Sequence, residues 1–194
     1  MMNKMFTVSN GQDRKSKLRR SLVLAFLVFN TTFLFSQDHS IEQSSVNFKI
    51  KNFGTFVKGT FSESTISGYF DLYELEKSQI KVIIKVASID TGITKRDKHL
   101  LEDDYFDEST YPSIEFSSNK IEKKSQTEYL LHGKLTIKNT LKEVKIPLQV
   151  KENNTTLMVT SEFELSRKNY GVGGRSWILS DKVKARVQFK VRKK

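Results

Sequence analysis

Apolar and polar residues alternate along most of the chain from residue 44 onward, which is the period of a β-strand and not that of a helix. The last segment shows this most clearly, since Val183, Ala185, Val187 and Phe189 alternate with lysine, arginine and glutamine. The pattern therefore predicts strands that bury one face and expose the other. The same rhythm recurs in six further segments: Val46/Phe48/Ile50, Ile66/Gly68/Phe70/Leu72, Ile80/Val82/Ile84/Val86, Ile114/Phe116, Val144/Ile146/Leu148/Val150 and Leu157/Val159/Ser161/Phe163/Leu165.

Short polar segments separate these runs, and no helical crossover of the length needed for a parallel sheet is visible between them. The spacing predicts eight or nine short antiparallel strands arranged as a barrel or a sandwich. An eight-stranded barrel is just wide enough to be filled by side chains or to hold one slim ligand. The alternation alone leaves open whether the interior is filled or hollow.

Two stretches break the alternation. Residues 92–113 are dense in charge and place pairs of apolar residues on one side of a short helix, with Thr94 or Asp97 as the predicted N-cap and Pro112 preventing continuation. Residues 167–177 contain three glycines, two arginines, Tyr170 and the only tryptophan, Trp177. We expect both stretches at an end of the sheet, the first as a helical cover.

Residues 1–36 have the features of a secretory signal peptide. Five basic residues between Arg14 and Arg20 precede an apolar run from Ser21 to Phe29, and Ser36 is small enough to precede the cut. The apolar run is shorter than the ~20 residues that a spanning helix needs. We therefore predict export and cleavage, a barrel domain over residues 37–194, and a location in the periplasm, with the cell exterior as the alternative.

The composition limits the possible chemistry. The chain carries 33 basic and 22 acidic residues, but removing residues 1–36 leaves 27 and 21, so the net charge falls from +11 to +6. Most of this excess lies on solvent faces of predicted strands, so we expect no nucleic-acid partner, whereas transient contact with a membrane surface is compatible with it. The absence of cysteine excludes disulfides and thiol chemistry, and three scattered histidines disfavour a metal site. We predict neither a metal nor a cofactor.

Motifs throughout the predicted domain resemble those of the YceI family of exported, lipocalin-like polyisoprenoid-binding proteins. The resemblance covers about residues 44–192. Its motifs, in chain order, are Val46-x-Phe48-x-Ile50-Lys51-Asn52-Phe53-Gly54, Val57-x-Gly59-x-Phe61, Ser88-Ile89-Asp90-Thr91, Arg96-Asp97-x-His99-Leu100, Asp104-Tyr105-Phe106, Tyr111-Pro112-x-Ile114-x-Phe116-x-Ser118, Gly133-x-Leu135-Thr136-Ile137 and Arg167-x-Asn169-Tyr170-Gly171.

The resemblance implies an all-β fold, an eight-stranded antiparallel lipocalin-like barrel with a short helical insertion at about residues 94–108. It also implies a ligand, a polyisoprenoid or other long amphiphilic lipid such as a quinone or polyprenyl phosphate, held in the barrel without chemistry being done on it. Tyr105, Asn139 and the pair Lys168-Asn169 depart from residues usual in the family. Of these, Asn169 replaces a carboxylate near the predicted pocket mouth.

Two sets of candidate binding residues follow. The first set comprises the aromatic and aliphatic residues expected to contact the lipid: Phe53, Phe56, Phe61, Phe70, Leu100, Phe106, Ile114, Phe116, Tyr170 and Trp177. The second set comprises polar residues expected at the rim or against a headgroup: Arg96, Asp97, His99, Arg167, Asn169 and Arg175. For both arginines of the 167–177 stretch, rim salt bridges and capture of an anionic headgroup are both open.

Other functions remain as alternatives. A packed barrel acting as an interaction module of the cell envelope would use the same inward aromatic residues as core. An enzyme at the barrel rim is less favoured, because Arg96, Asp97 and His99 lack a nucleophile or a second carboxylate fixed nearby. For these three residues we expect helix capping by Asp97 and hydrogen bonds from Arg96 and His99 that tie the insertion to the barrel. The acidic residues between Glu102 and Glu108 lack the spacing of a calcium loop and predict a solvated face.

Overall fold

The computed structural model describes residues 41–193, so the predicted signal peptide lies outside the described residues. These residues form ten strand segments, one α-helix and two short 3-10 turns. The elements in chain order are β1 (Ile41–Asn52), β2 (Thr55–Phe61), β3 (Ser64–Tyr69), β4 (Gln79–Lys85), a 3-10 turn (Val86–Ser88), β5 (Ile89–Asp90), α1 (Thr94–Leu100), β6 (Ser113–Lys123), β7 (Glu128–Ile137), β8 (Thr140–Glu152), β9 (Thr156–Ser166), a 3-10 turn (Arg167–Tyr170) and β10 (Leu179–Arg192).

The strands form one antiparallel sheet in the order β3-β4-β6-β7-β8-β9-β10-β1-β2-β5. The two edges of the sheet meet and close it, because β3 continues β2 and β5 continues β4 along the chain. At the meeting point the Ser62 amide donates to the Ser88 carbonyl at 3.1 Å, and the Lys85 amide donates to the Glu63 carbonyl at 3.0 Å. Each of these two pairs is therefore one bent strand, and the ten segments form the predicted eight-stranded barrel.

The connections divide between two ends of the barrel. The hairpins β6–β7 and β8–β9 and the loop β3–β4 lie at one end, together with the beginning of β1 and the end of β10, which are paired at Ile41 and Val191. The hairpins β1–β2 and β7–β8, the insertion between β5 and β6, and residues 167–178 lie at the other. We call these the packed end and the open end.

Side chains fill the packed end. The ring of Phe70 is 1% exposed and meets Tyr129 edge-on, with 6.2 Å between the ring centroids. Val159, in the first half of β9, is 0% exposed. Burial of this kind contributes roughly 1.5–3 kcal/mol per large side chain. The other buried apolar residues of this half are Ile80, Ile121, Leu131, Ile146, Leu148, Val150, Leu157, Phe189 and Val191.

The helical insertion is shorter than predicted. The helix covers Thr94–Leu100, and the chain then continues in turns to Tyr111, whose amide donates to Asp107 at 2.8 Å. The predicted N-caps are wrong, since Ile93 is the N-cap and no side chain caps the helix. The Asp97 carboxylate instead accepts from the amide and the hydroxyl of Thr91. Within residues 41–193 no helix is long and apolar enough to cross a bilayer.

Two glycines allow close contacts across the sheet. A Cβ atom at Gly133 would lie 2.5 Å from the Ser117 carbonyl oxygen and 2.6 Å from the ring of Phe116. A Cβ atom at Gly59 would lie 2.3 Å from the ring of Phe48, its partner across β1 and β2. Both distances are far below ordinary carbon contacts. The rings of Phe116 and Phe48 therefore pack directly against the glycine backbone and lie close to the wall of the barrel.

Candidate functional site at the open end of the barrel

The open half of the barrel contains a cavity of about 370 Å³. This volume lies at the lower end of the range of roughly 300–1,000 Å³ found for small-molecule sites. Inward-facing residues from eight of the strand segments line it, and nearly all of them are apolar. The strand residues that line it are Val46, Asn47, Phe48, Ile50, Asn52, Val57, Phe61, Ile84, Ile89, Ile114, Leu135, Ile137, Phe163, Leu165, Leu179, Val183, Ala185 and Val187.

The hollow exists because of which side chains occupy the inward positions. On β10 these are Val183, Ala185 and Val187, which are too small to reach the opposite wall. Phe48 is larger, but its ring lies over Gly59 rather than across the barrel. From there a chain of aromatic contacts runs to the insertion: the Phe48 and Phe61 centroids are 5.5 Å apart, and Phe61 meets Phe106 edge-on at 6.2 Å. One side of the cavity is therefore aromatic, and Phe163 and Tyr170 add single rings elsewhere to a lining that is mostly aliphatic.

Most polar side chains of the cavity lie at its mouth, the opening at the open end of the barrel. Arg96 of α1 donates from Nε to the Thr91 hydroxyl and from Nη2 to the Thr91 carbonyl, each at 2.7 Å. This links the insertion to the end of β5 and leaves Nη1 without a hydrogen-bond partner among residues 41–193. The buried side-chain oxygen of Asn52 also has no partner there. Both residues line the cavity, so the mouth offers one free cationic donor and one free amide group.

Arg167 organises the loop that forms one side of the mouth. Its side chain is buried, and Nη1 lies 2.8–3.0 Å from the backbone carbonyls of residues 172–174. Its Nε and Nη2 donate to the carbonyls of residues 179–180, and Nη2 also lies 3.3 Å from the Asp181 carboxylate. Arg167 lines the cavity, but its donors are already used within the protein. Its geometry is that of a structural arginine and not of a headgroup ligand.

Tyr170 joins this loop to the cavity. Its side chain is buried, and burial raises the pKa of the phenol because the charged phenolate would lose its hydration. Gly171 follows in the left-handed conformation and ends the 3-10 turn. Two residues later the Gly173 amide donates to the Asp104 carbonyl at 2.9 Å. The loop and the insertion are thus connected across the mouth.

The structure divides the predicted lipid-contacting residues into two groups of five. Phe61, Leu100, Phe106, Ile114 and Tyr170 line the cavity. The other five do not, for three different reasons. Phe70 belongs to the packed end, and Phe116 lies over Gly133. The remaining residues are on the outside: Phe53, Phe56 and Trp177.

The predicted rim residues are also divided. Arg96, His99 and Arg167 line the cavity, as described above for the two arginines. Asp97 is occupied by Thr91, while Asn169 and Arg175 are exposed and do not line it. Arg167 forms a salt bridge with Asp181, which is one of the two alternatives expected for this arginine, the other being capture of a headgroup. Arg175 makes no salt bridge among residues 41–193.

His99 belongs to a small polar cluster at the edge of the mouth. Its Nδ1 lies 2.7 Å from Glu102 Oε2, and its ring meets Tyr105 with 4.9 Å between centroids. The side chains of His99, Glu102 and Asp104 place one possible metal-ligand atom each within 4.8 Å of one another, and all three side chains are exposed. Sequence spacing did not suggest this group. Exposed acidic side chains come together in this way without a metal, and the carboxylate of Glu102 is already paired.

Most of the cavity-lining residues were not among the predicted contacts. The inward aliphatic residues of β1, β9 and β10 were recognised as apolar positions of strands but not as walls of a cavity. One signal could have identified them, because inward residues within a few positions of the β1–β2 and β7–β8 hairpins must lie at the same end of the barrel. Ala185, a small inward residue of β10, indicates where the interior is not filled.

Comparisons with known proteins agree with this fold. The model of the YceI-like domain matches residues 38–192. A protein of Photorhabdus laumondii, UPF0312 protein plu2095, is 30% identical over 128 residues, or 63% of this chain and 66% of its own. The matches to proteins of Azotobacter vinelandii and Vibrio campbellii cover 57% and 55% of those chains. The chain thus spans between about half and two thirds of these relatives.

Two solved structures share the architecture. BcnA of Burkholderia cenocepacia superimposes with a TM-score of 0.74 at 26% identity, covering 78% of this chain and 99% of its own. A polyisoprenoid binding domain from Saccharophagus degradans superimposes with a TM-score of 0.63, covering 80% of this chain and 98% of its own, but at 15% identity it shows the fold alone. With its family motifs, its barrel and a family match over residues 38–192, this chain belongs to the YceI family.

Proposed function

We propose that this protein is a periplasmic carrier that holds an isoprenoid-type lipid, such as a quinone or a polyprenyl phosphate, in the open half of its barrel. The observation that carries the proposal is the contrast between the two halves, one filled by side chains and the other hollow and lined by apolar residues. A hollow of this kind lacks the contacts that a filled core would provide. An apolar ligand supplies those contacts.

The magnitude of the gain suits a chain built of five-carbon units. Burial of apolar surface contributes about 0.8 kcal/mol per CH₂ group, so each unit contributes roughly 3–4 kcal/mol before ordering costs. Two or three units therefore suffice for a dissociation constant in the micromolar range. A protein of the same fold is described as a polyisoprenoid binding domain, and that ligand class fits an apolar cavity of about 370 Å³.

The polar groups at the mouth suit an amphiphile. An apolar chain that enters the cavity leaves its polar end beside Arg96 and Asn52. Arg96 offers its free Nη1 as a charged donor, and Asn52 offers a buried side-chain amide. A guanidinium hydrogen-bonds phosphate or carbonyl oxygen well. Within residues 41–193 the polar groups lining the cavity provide no activated nucleophile. We therefore propose binding and release of the lipid without chemistry on it.

Native mass spectrometry of the protein purified from the periplasm of its own cells, followed by lipid extraction, tests the proposal. We expect a bound species of isoprenoid mass that is released on denaturation. Farnesyl phosphate, which has three five-carbon units, serves as an added probe. An empty protein that also fails to bind farnesyl phosphate and a short-chain quinone would overturn the carrier function and favour an interaction module of the envelope.

A further inference from the structure

Three large aromatic side chains are exposed together at one side of the mouth, outside the cavity. Trp177 is 104% exposed and Phe53 is 74% exposed, and the third is Phe56. They are neighbours, because the amide of Phe53 donates to the carbonyl of Ile178 at 3.0 Å, next to Trp177. Exposed aromatic residues that cluster in this way mark an interaction surface. The cavity does not account for them, since none of the three lines it.

The backbone at Phe53 shows that the exposure has a conformational cost. Phe53 and Gly54 form the two-residue turn of the β1–β2 hairpin, and both have positive φ, at 50° and 75°. A turn of this type strongly favours asparagine, aspartate or glycine at the first position. A phenylalanine there is held in a conformation unfavourable for a residue with a Cβ atom. The hairpin therefore displays an aromatic ring at its tip against the preference of its own turn.

A row of lysines lies beside the aromatic residues on the outer face. Lys49 is directly opposite Lys184 on β10 and Lys58 on β2, so three cations stand side by side on adjacent strands about 4.8 Å apart. Like charges placed directly opposite each other destabilise a sheet. Lys49 and Lys58 make no ion pair among the described residues. The ammonium groups of Lys49 and Lys51 lie 5.5 and 5.4 Å from the centroid of the Phe56 ring.

We propose that this side of the mouth is a docking face for a bilayer that carries anionic lipid. The docking face consists of Lys49, Lys51, Phe53, Phe56, Lys58 and Trp177. Aromatic rings that are apolar along one side and polar at an edge favour the interface of a membrane, and lysines beside them bind anionic headgroups.

Docking on this face brings the mouth of the cavity to the membrane surface. The hairpin β1–β2 contributes Asn52 and Val57 to the cavity lining, while Phe53 and Phe56 between them point outward. One element therefore serves both the cavity and the docking face. The docking face does not depend on which lipid the cavity takes, so it can be tested on vesicles that contain no isoprenoid.

The test uses a chain of residues 37–194, because BcnA shows the same fold with 99% of its chain matched to this barrel. Sedimentation with vesicles of phosphatidylcholine and phosphatidylglycerol measures binding, and vesicles of phosphatidylcholine alone are the control. Trp177 is the only tryptophan of the chain and reports directly from the docking face. We expect its fluorescence to shift to shorter wavelength with the anionic vesicles and to be quenched by brominated lipid.

Two variants separate charge from aromatic contact. K49Q/K51Q/K58Q is expected to weaken binding to anionic vesicles by at least tenfold at low salt. Its matched control, K134Q/K145Q/K151Q, removes the same charge from the outer, exposed faces of β7 and β8 and is expected to bind like the unchanged protein. F53N is expected to weaken binding while its turn becomes more favourable and the fold no less stable. Y73S, at the packed end, is the control for loss of an exposed aromatic ring.

Absence of binding to the anionic vesicles, or equal binding by both lysine variants, would overturn the docking face. Farnesyl phosphate binding is measured on the same proteins and is expected to be unchanged in K49Q/K51Q/K58Q and F53N, because these residues do not line the cavity. A failure of docking is thereby distinguished from a failure of the proposed carrier function.

Discussion

Replacing Ala185 by leucine tests whether the open half of the barrel is hollow. Ala185 lies inward on β10, between Phe48 and Phe163 on the neighbouring strands, and lines the cavity. The ring of Phe48 lies over Gly59 and leaves room at Ala185. A leucine side chain at this position enters the empty volume without displacing a neighbour.

The expected magnitudes follow from the three added carbon atoms. At about 0.8 kcal/mol per CH₂ group, full burial would stabilise the fold by roughly 2.4 kcal/mol, and partial exposure in the cavity reduces this to about 1–2 kcal/mol. The same volume is then lost to the ligand. Binding of an isoprenoid chain should weaken by a comparable free energy, or roughly 5- to 30-fold in dissociation constant. Stability and binding therefore change in opposite directions.

Urea denaturation followed by circular dichroism measures the free energy of unfolding, and calorimetric titration with farnesyl phosphate measures binding. The control is Val159→Phe, which enlarges a residue of the packed end that is 0% exposed. Overpacking there is expected to destabilise the fold by about 1–3 kcal/mol. The contrast in sign between the two variants separates a hollow half from a filled one.

Two results would refute this reasoning. If Ala185→Leu destabilises the protein as much as Val159→Phe does, then the interior around β10 is already filled. If it stabilises the protein but leaves the affinity for farnesyl phosphate unchanged, then the ligand does not occupy the part of the cavity beside β10.

Three further predictions concern the scaffold of the site. Arg167→Met should lower the free energy of unfolding by about 3–5 kcal/mol, because several backbone carbonyls lose their hydrogen-bond donor. In the same urea experiment the control Lys168→Met, which removes an exposed ion pair, should lower it by less than about 1 kcal/mol. Gly133→Ala should lower the melting temperature, because the new Cβ atom meets backbone. Gly174→Ala should leave it nearly unchanged, because no atom lies within 4 Å of the position of its new Cβ atom. Burial raises the pKa of Tyr170, so its phenol stays neutral in the folded protein at a pH where the same phenol ionises in the unfolded chain. The free energy of unfolding should therefore fall as the pH rises above about 10. In a titration followed by phenolate absorbance, Tyr170→Phe should lose one tyrosine that ionises late.

The fold was accessible from the sequence because alternation records directly which side of a strand is buried. The strand count was harder to obtain, since two of the eight strands are bent. The bends at residues 62–63 and 86–88 interrupt the pairing and appear as breaks between runs. The insertion was recognised by its charge and by Pro112, but its helix ends at Leu100 because turns satisfy the backbone that follows.

The location of the cavity was not accessible in the same way. Phe61 lies in the bent strand formed by β2 and β3, and Phe70 directly follows that strand; only their distance from the open end makes one a cavity wall and the other core. Trp177 and Phe53 lie near strand ends, as expected of contacts at a mouth, but they are exposed on its outer side. The partners of Arg167 are backbone carbonyls, which every residue carries and which no sequence pattern reveals.

Within residues 41–193 the packed end closes the cavity on one side, and the cavity opens at the end that carries Arg96 and Asn52. In the carrier that we propose, the lipid threads in tail first and leaves headgroup first. Because a single opening would serve both movements of the proposed carrier, we infer that a donor and an acceptor do not engage the same lipid together. The emptied carrier then separates from the acceptor before it is reloaded. Since Phe70 and Tyr129 pack together at the far end, the proposed carrier would release its lipid through the same opening by which the lipid entered.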